Sequence, residues 1–269
     1  MSALLARDGV MTSDAVFHYA REPLVTRIHC PVCDAPGERA FPLSDRYGFP
    51  IRVARCPLCR LVYLADVMTR AGYDRLYAGD PSPYRRLVWS QPHYDQAAAR
   101  ARLRIDQQRY GTDLRDWLVL TGRVFGQVLD AGGSTGRIST IVAPAAHRVV
   151  VDPARDEIAL CQDGAETLTG HLEDGLPDRF THAFDLILLC ETLDHLIDPV
   201  AALRTLDDAL APGGLIYLDY VPQAPLKIDH PLYFNEASCL SLLSRLGWHV
   251  AARRNPQSWA HRGFLCVRV

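Results

Sequence analysis

The chain has 269 residues, of which 48% are hydrophobic and 22% charged, with a formal net charge of −2. This length suits one large domain or two smaller ones, and the composition is that of a globular protein with enough apolar residues for a sizeable core. The near-neutral charge excludes a global pull toward nucleic acid or anionic lipid. No apolar run reaches the about 20 residues of a membrane-spanning helix. Residues Met1 to Glu22 lack the basic start and apolar stretch of a secretory signal, so the expected location is cytoplasmic, with no membrane partner.

Residues 1–25 show no hydropathy period and read as an N-terminal arm or a short packed helix. Two CxxC pairs follow, Cys30-Pro31-Val32-Cys33 and Cys56-Pro57-Leu58-Cys59, separated by 22 residues. Each pair sets two thiolates on one tight turn. Two such turns joined by a hairpin complete a tetrahedral four-sulfur site, the donor set that favours zinc. A redox CxxC fits less well, because there are two pairs and neither lies in a βαβ pattern. Four cysteines close the coordination shell, so the zinc is expected to be structural, in a module (26–66) too small to fold well unaided. Phe49 to Arg55 reads as a strand entering the second pair, and Leu61 to Leu64 as one leaving it.

Residues 67–120 read as a helical linker or lid. Thr69 to Tyr84 is aromatic and turn-rich, and Asp80-Pro81-Ser82-Pro83 breaks any helix there. An Ala- and Arg-rich helix is expected from about Pro92 to Tyr110, with a second short one near Leu114 to Leu120. Tyr77 and Tyr84 either pack or close over a ligand.

From 121 to 269 strands and helices alternate. Val128 to Ala131 starts as a buried strand and breaks into the glycine turn Gly132-Gly133-Ser134-Thr135-Gly136. A helix then takes over with Ile138, Ile141 and Val142. Further strands are expected at Val149 to Asp152, Ala165 to Leu172, Phe184 to Cys190 and Leu215 to Val221, and two last ones at Trp248 to Arg253 and Phe264 to Val269. Asp198-Pro199 opens a helix as N-cap and first helical residue, Pro212-Gly213-Gly214 ends it, and Asn235 caps another that stops at Gly247. The pattern predicts an α/β fold with a mostly parallel, seven-stranded Rossmann-like sheet covered on both faces. The last two strands have no helix between them, so one of them should run antiparallel.

In such sheets a ligand sits beyond the C-terminal ends of the strands, beside the first one. The glycine turn, Asp152 and Cys190-Glu191 all fall there. Asp152 lies about 20 residues after the turn, where an acid can accept both hydroxyls of a ribose. A nicotinamide cofactor is one reading. Asp130 directly before the turn is unlike GxGxxG, however, and suits a cationic amino group better than a pyrophosphate, which points to S-adenosylmethionine.

On these residues the segment 124–222 resembles a class I S-adenosylmethionine-dependent methyltransferase. The family's VLDxGxGxG motif is matched by Val128-Leu129-Asp130-Ala131-Gly132-Gly133-Ser134-Thr135-Gly136, with Ser134 in place of the middle glycine. The resemblance implies that Asp130, Ala131, Gly132, Gly133, Ser134 and Gly136 seat the methionine end of the cofactor. It implies that Asp152 and Pro153 hold the ribose and that Leu172 and Glu173, after His171, line the adenine. Cys190 and Glu191 then close the site. Phe184-Asp185-Leu186-Ile187 and Leu193-Asp194-His195-Leu196 resemble FDLV…LEHL, and Ala211-Pro212-Gly213-Gly214 resembles LxPGG. His230-Pro231-Leu232-Tyr233-Phe234-Asn235 resembles the HxxYFS segment of a narrower group. That group carries an N-terminal CxxC…CxxC module and an LVYL strand, and it methylates sugars, polysaccharides and natural products.

The resemblance thus implies methyl transfer to a hydroxyl or carbon of a small molecule, with His195, Asp194 and His230 as catalytic candidates. Two other readings are an RNA methyltransferase that grips nucleic acid with its zinc module, and a non-catalytic partner that binds cofactor. The scattered arginines and the absence of a lysine-rich stripe make nucleic acid the weaker partner. Cys161, Cys239 and Cys266 have no partner spacing and read as buried apolar residues.

Overall fold

The protein is described by a computed structural model covering residues 10–11, 16–89, 104–161, 164–222, 226–254 and 262–268. Its N-terminal part is made of short strands. β1 (Val10–Met11) pairs antiparallel with β2 (Val16–Phe17). β3 (Leu24–Thr26) pairs with β7 (Asp66–Met68), and β4 (Phe41–Ser44), β5 (Pro50–Arg55) and β6 (Val62–Leu64) form an antiparallel meander. Along β5 Ile51 and Val53 are buried while Pro50 and Arg52 are exposed. That period of two marks a strand with one face on a core. The described end of the N-terminal arm belongs to this core. Phe17 and Tyr19 are buried in it, and the Tyr19 ring lies 5.2 Å from that of Phe49.

Two short helices follow, α1 (Arg70–Tyr77) and α2 (Pro83–Trp89), separated by the expected proline-rich break. Most of the helix expected from Pro92 to Tyr110 lies outside the described residues. Its end is a π-helical stretch, Gln107–Leu114, which runs straight into α3 (Arg115–Val119). The separate second helix expected near Leu114 is therefore a continuation of the first.

The main sheet is assembled from β8 (Gln127–Ala131), β9 (His147–Asp152), β10 (Glu166–Thr169), β11 (Phe184–Leu189), β12 (Leu210–Tyr220), β14 (Trp248–Arg254) and β15 (Arg262–Arg268), in the order β10-β9-β8-β11-β12-β15-β14. The first five are mutually parallel, and β15 is antiparallel to both of its neighbours. This is the expected seven-stranded Rossmann-like fold, and the order reverses beside β8, where a crevice opens. Helices α4 (Arg137–Val142), α5 (Arg155–Ile158), α6 (Pro199–Ala209) and α7 (Glu236–Arg245) connect the strands. β11 shows why both faces must be covered. Ile187 and Leu189 pack with Leu203 and Leu206 of α6, while Leu186 and Leu188 pack on the other side with Tyr110, Leu114 and Leu118.

The Pro212-Gly213-Gly214 turn does not precede β12 but interrupts it. Partners on β12 jump from Leu210 to Leu215 while β11 advances only from Phe184 to Leu186. Gly213 absorbs the bulge with a φ of +74°, where a side chain would be strained. After β12 the chain leaves the main sheet. β13 (Leu232–Tyr233) pairs with β6 in the N-terminal sheet, and Leu64 N–H donates to Pro231 O at 2.9 Å.

Asp198 begins α6 as expected, its Oδ1 accepting from Val200 N–H (3.1 Å) and Ala201 N–H (3.0 Å), with Pro199 as the first helical residue. These bonds satisfy donors that a helix start otherwise leaves unpaired. Asp198→Ala is expected to cost roughly 1 kcal/mol of unfolding free energy. Urea denaturation should show this as a lower midpoint with an unchanged slope.

Candidate active site

The site begins where β8 ends. Gly132 has a φ of +71°, and a Cβ on it would stand 2.2 Å from Thr192 Cγ2. Gly133 lies against Asp130, whose Cγ would be 2.5 Å from an added Cβ. Ser134 takes the left-handed conformation (φ +50°) that a middle glycine would adopt freely. Two bonds hold it there: its N–H donates to Asp152 Oδ2 and its hydroxyl to Glu157 Oε2, both at 2.9 Å. The serine is therefore compatible with the turn, and it ties the turn to α5.

Asp130 corrects the sequence-based expectation. It is 1% exposed and does not line the cleft. Its Oδ2 accepts from Ser139 N–H at 3.1 Å, so it braces the first turn of α4 from beneath the glycines and cannot meet a cationic amino group directly. Burial raises its carboxyl above the usual carboxylate range. Ala131 is likewise buried in the core below the turn, because the strand has not yet ended there.

The cleft encloses about 420 Å³. Gly132, Gly133, Ser134, Asp152, Pro153, Leu172, Glu173, Cys190 and Glu191 all line it, as expected, whereas Gly136 lies behind the turn against Val150 and Cys161. Asp152 Oδ1 accepts from Ala154 N–H at 2.8 Å. Burial, reinforced by Glu157 and Asp130, pushes its carboxyl up to about 7 against the two backbone N–H bonds. Glu173 Oε1 accepts from Ile197 N–H at 2.8 Å, so it fastens the opposite wall while lining the cleft. Glu191 has a φ of +55°, its N–H donates to Asp219 Oδ1 at 2.8 Å, and its carboxylate pairs with Arg109 of the π-helical stretch. Tyr73, Tyr77 and Tyr84 form the wall supplied by α1 and α2, with the Tyr77 and Tyr84 rings 5.1 Å apart.

At one end of the cleft the turn Leu193–His195 meets the loop after β12. His195 lines the cleft; Asp194 and His230 do not and stand behind it. The His195 and His230 rings have centroids 3.9 Å apart. His230 Nδ1 sits 2.7 Å from Asp194 Oδ2 and its Nε2 sits 3.4 Å from Asp229 Oδ2. Asp229 is fully buried and is held by Lys227 Nζ (3.2 Å) and the Tyr47 hydroxyl (3.4 Å). Burial and the neighbouring His230 pull His195 down to about 4. Although burial opposes it, His230 holds the Asp194 carboxyl well below the usual range.

The four cysteines form a second group. Cys30 and Cys59 have sulfurs 3.5 Å apart and Cys33 and Cys56 3.4 Å, and all four lie within 4.8 Å of one another. Zinc–sulfur bonds of about 2.3 Å in a tetrahedron need sulfurs about 3.8 Å apart, so the set fits that ion closely. The two knuckles are copies. In each the first cysteine's N–H bonds the carbonyl five residues on (Cys30 to Ala35, Cys56 to Leu61), and the residue after the second cysteine, Asp34 or Arg60, has a φ near +64°.

A family model described as "Methyltransferase domain" matches residues 103–265, more than half of the chain. The chain belongs to this methyltransferase family. Solved structures share its fold. The magnesium protoporphyrin IX methyltransferase of Synechocystis PCC 6803, with bound S-adenosylmethionine, is 19% identical at a TM-score of 0.52, over 74% of this chain and 92% of that one. An S-adenosylmethionine-dependent methyltransferase from Clostridium acetobutylicum is 12% identical at a TM-score of 0.52, over 62% and 94%. No curated protein matches. No helix among the described residues of this methyltransferase is long and apolar enough to cross a membrane.

The sequence had not singled out Glu157, Thr192, Arg109, Asp229, Lys227 or Tyr47. Asp229 alone was legible, as the acid next to His230. Glu157, Thr192, Arg109 and Tyr47 act across the fold, 23 to 182 residues away from their partners, and Lys227 reaches back to Tyr47 besides its neighbour Asp229. Gly132→Ala in the methyltransferase is expected to abolish binding of S-adenosylmethionine, because the new Cβ meets Thr192 in a left-handed backbone. Calorimetry should detect no binding while circular dichroism still reports a folded chain.

Proposed function

We propose that this S-adenosylmethionine-dependent methyltransferase acts on a hydroxyl or carbon of a small molecule, namely a sugar, nucleotide sugar or natural-product intermediate. We also propose that zinc closes the four-cysteine site as a structural ion. The observation that carries the reading is one cleft joining the glycine turn and Asp152 to the His195 ring. Gly132, Gly133 and Ser134 would seat the methionine end, Asp152 and Pro153 the ribose, and Leu172 with His171 the adenine.

S-adenosylmethionine, when bound, supplies a methyl group already activated on a sulfonium. The protein's share is to hold the acceptor in line, exclude water and take up a proton. His195 is neutral at physiological pH and presents its ring to the cleft, so it orients the acceptor. His230 stands behind His195 with its ring nitrogens 2.7 Å from Asp194 and 3.4 Å from Asp229, so it is positioned to take up a proton released by a hydroxyl. The cleft walls of tyrosine and leucine keep this end dry.

Labelled methyl transfer screened over nucleotide sugars, hydroxylated metabolites and RNA tests the reading. Transfer to a small hydroxylated acceptor is expected; transfer only to RNA overturns it. With that acceptor, His230→Ala should lower kcat by roughly 10² to 10⁴ while leaving cofactor affinity unchanged.

Asp152 gives a pH prediction. Below about 7 its carboxyl is protonated and has lost an acceptor; above that value both oxygens can accept from the ribose. Affinity for S-adenosylmethionine should therefore rise with pH and bend near 7. Asp152→Asn should bind roughly tenfold more weakly or worse, with no bend. Calorimetry across the pH range reads both.

A further inference from the structure

The meeting of Asp194, His195 and His230 asks for more than proton transfer. One ligand atom of each lies within 4.8 Å of the other two. Two imidazoles and one carboxylate are a donor set for divalent transition ions, and three protein ligands leave coordination positions open, as in catalytic rather than structural sites.

Three features of the cluster fit an ion. First, His230 has the support that a metal-bound histidine characteristically has. Its Nδ1 faces Asp194, and its other nitrogen faces a buried carboxylate, Asp229, at 3.4 Å. Asp229 is in turn fixed by Lys227 at 3.2 Å and by the Tyr47 hydroxyl. Second, the charges leave room for a cation. Asp194 and Asp229 are two carboxylates, and Lys227 is one cation beside them. Third, the two imidazole rings touch at 3.9 Å between centroids and an angle of 59°, too tilted for parallel stacking. A shared ion gives two imidazoles a reason to converge.

We propose that Asp194, His195 and His230 bind a divalent transition-metal ion, distinct from one at the four-cysteine site, at the end of the cleft that His195 lines. The site is held from two sides of the molecule. Asp194 and His195 come from the turn after β11, and His230 comes from the loop that β6 captures. The ion would supply Lewis-acid chemistry: with His230 serving as a ligand in place of a base, it would raise the acidity of an acceptor hydroxyl, or of the carbon beside an acceptor carbonyl, and the proton would leave to water. This use of the ion rests on the small-molecule reading above, whereas binding of the ion does not.

The test is metal binding itself. Protein with its cysteines saturated by zinc is titrated with Co²⁺ and followed by visible absorption. One further equivalent is expected, with the weak bands of a nitrogen- and oxygen-bound ion and without the intense sulfur charge-transfer bands of a thiolate site. The isosteric Asp194→Asn and the truncations His195→Ala and His230→Ala should each lose that equivalent. Asp229→Asn should weaken it by roughly 10- to 100-fold. Thermal stabilisation by S-adenosylhomocysteine shows that each variant is folded with its cofactor cleft intact. The proposal is overturned if zinc-loaded protein takes up no cobalt, or if the second equivalent persists in folded His195→Ala and His230→Ala. Metal-independent methyl transfer without a second equivalent would sink this inference and leave the small-molecule reading standing. A second equivalent with no small-molecule acceptor found would do the reverse.

Discussion

The structure turns on the capture of one loop by the opposite sheet. After β12 the chain could have continued along the main sheet, but residues 226–235 are held by the N-terminal part. Asp45 accepts from Ile228 N–H at 3.1 Å, and the Tyr73 hydroxyl donates to Ile228 O at 3.1 Å. β13 pairs with β6, and Asn235 Nδ2 donates to Arg60 O at 2.7 Å. Those bonds, together with the contact between His230 and Asp194, fix His230 opposite His195. The four-cysteine knuckles matter to the site for this reason. They are packed in the same apolar cluster as α6 and α7, and Arg245 of α7 donates to Val32 O between the first cysteine pair. The segment that carries the four cysteines is thereby tied directly to the larger domain.

The two ends of the cleft are built by different physics. At the glycine end, backbone conformation dominates. Positive φ at Gly132 and Ser134 turns the chain under the cleft, and buried acids hold the turn: Asp130 from below, Asp152 from the side. At the histidine end, side-chain charge dominates. Lys227, Asp229, His230 and Asp194 form one chain of contacts behind the His195 ring. A low-dielectric surrounding strengthens each pair and makes each unpaired member costly, so such networks are kept complete or not at all.

Motifs whose partners are close in sequence were readable. The CxxC pairs, the Asp198-Pro199 cap, the Asn235 cap and the glycine turn each rest on residues within about five positions of one another, and all took the expected local form. The identity of Asp130's partner was not readable. An acid before a glycine turn looks the same in sequence whether its carboxylate points at a ligand or under the loop, and here the added bond to Ser139 N–H decides for the second. Ser134 looked like a defect in the motif, and Glu157, 23 residues away, explains how it is accommodated.

By itself the sequence determined the alternation of strands and helices, the metal-type spacing of the cysteines and the place of the cleft. These follow from hydropathy period, backbone freedom and donor chemistry, all of which act locally. The tertiary structure alone decided that β6 and β13 join across more than half the chain, that His195 fronts the cleft while His230 and Asp194 stand behind it, and that Arg109 pairs with Glu191. Contacts of that range depend on how two sheets dock, and docking is set by the shapes of whole buried faces. No short stretch of residues carries that information.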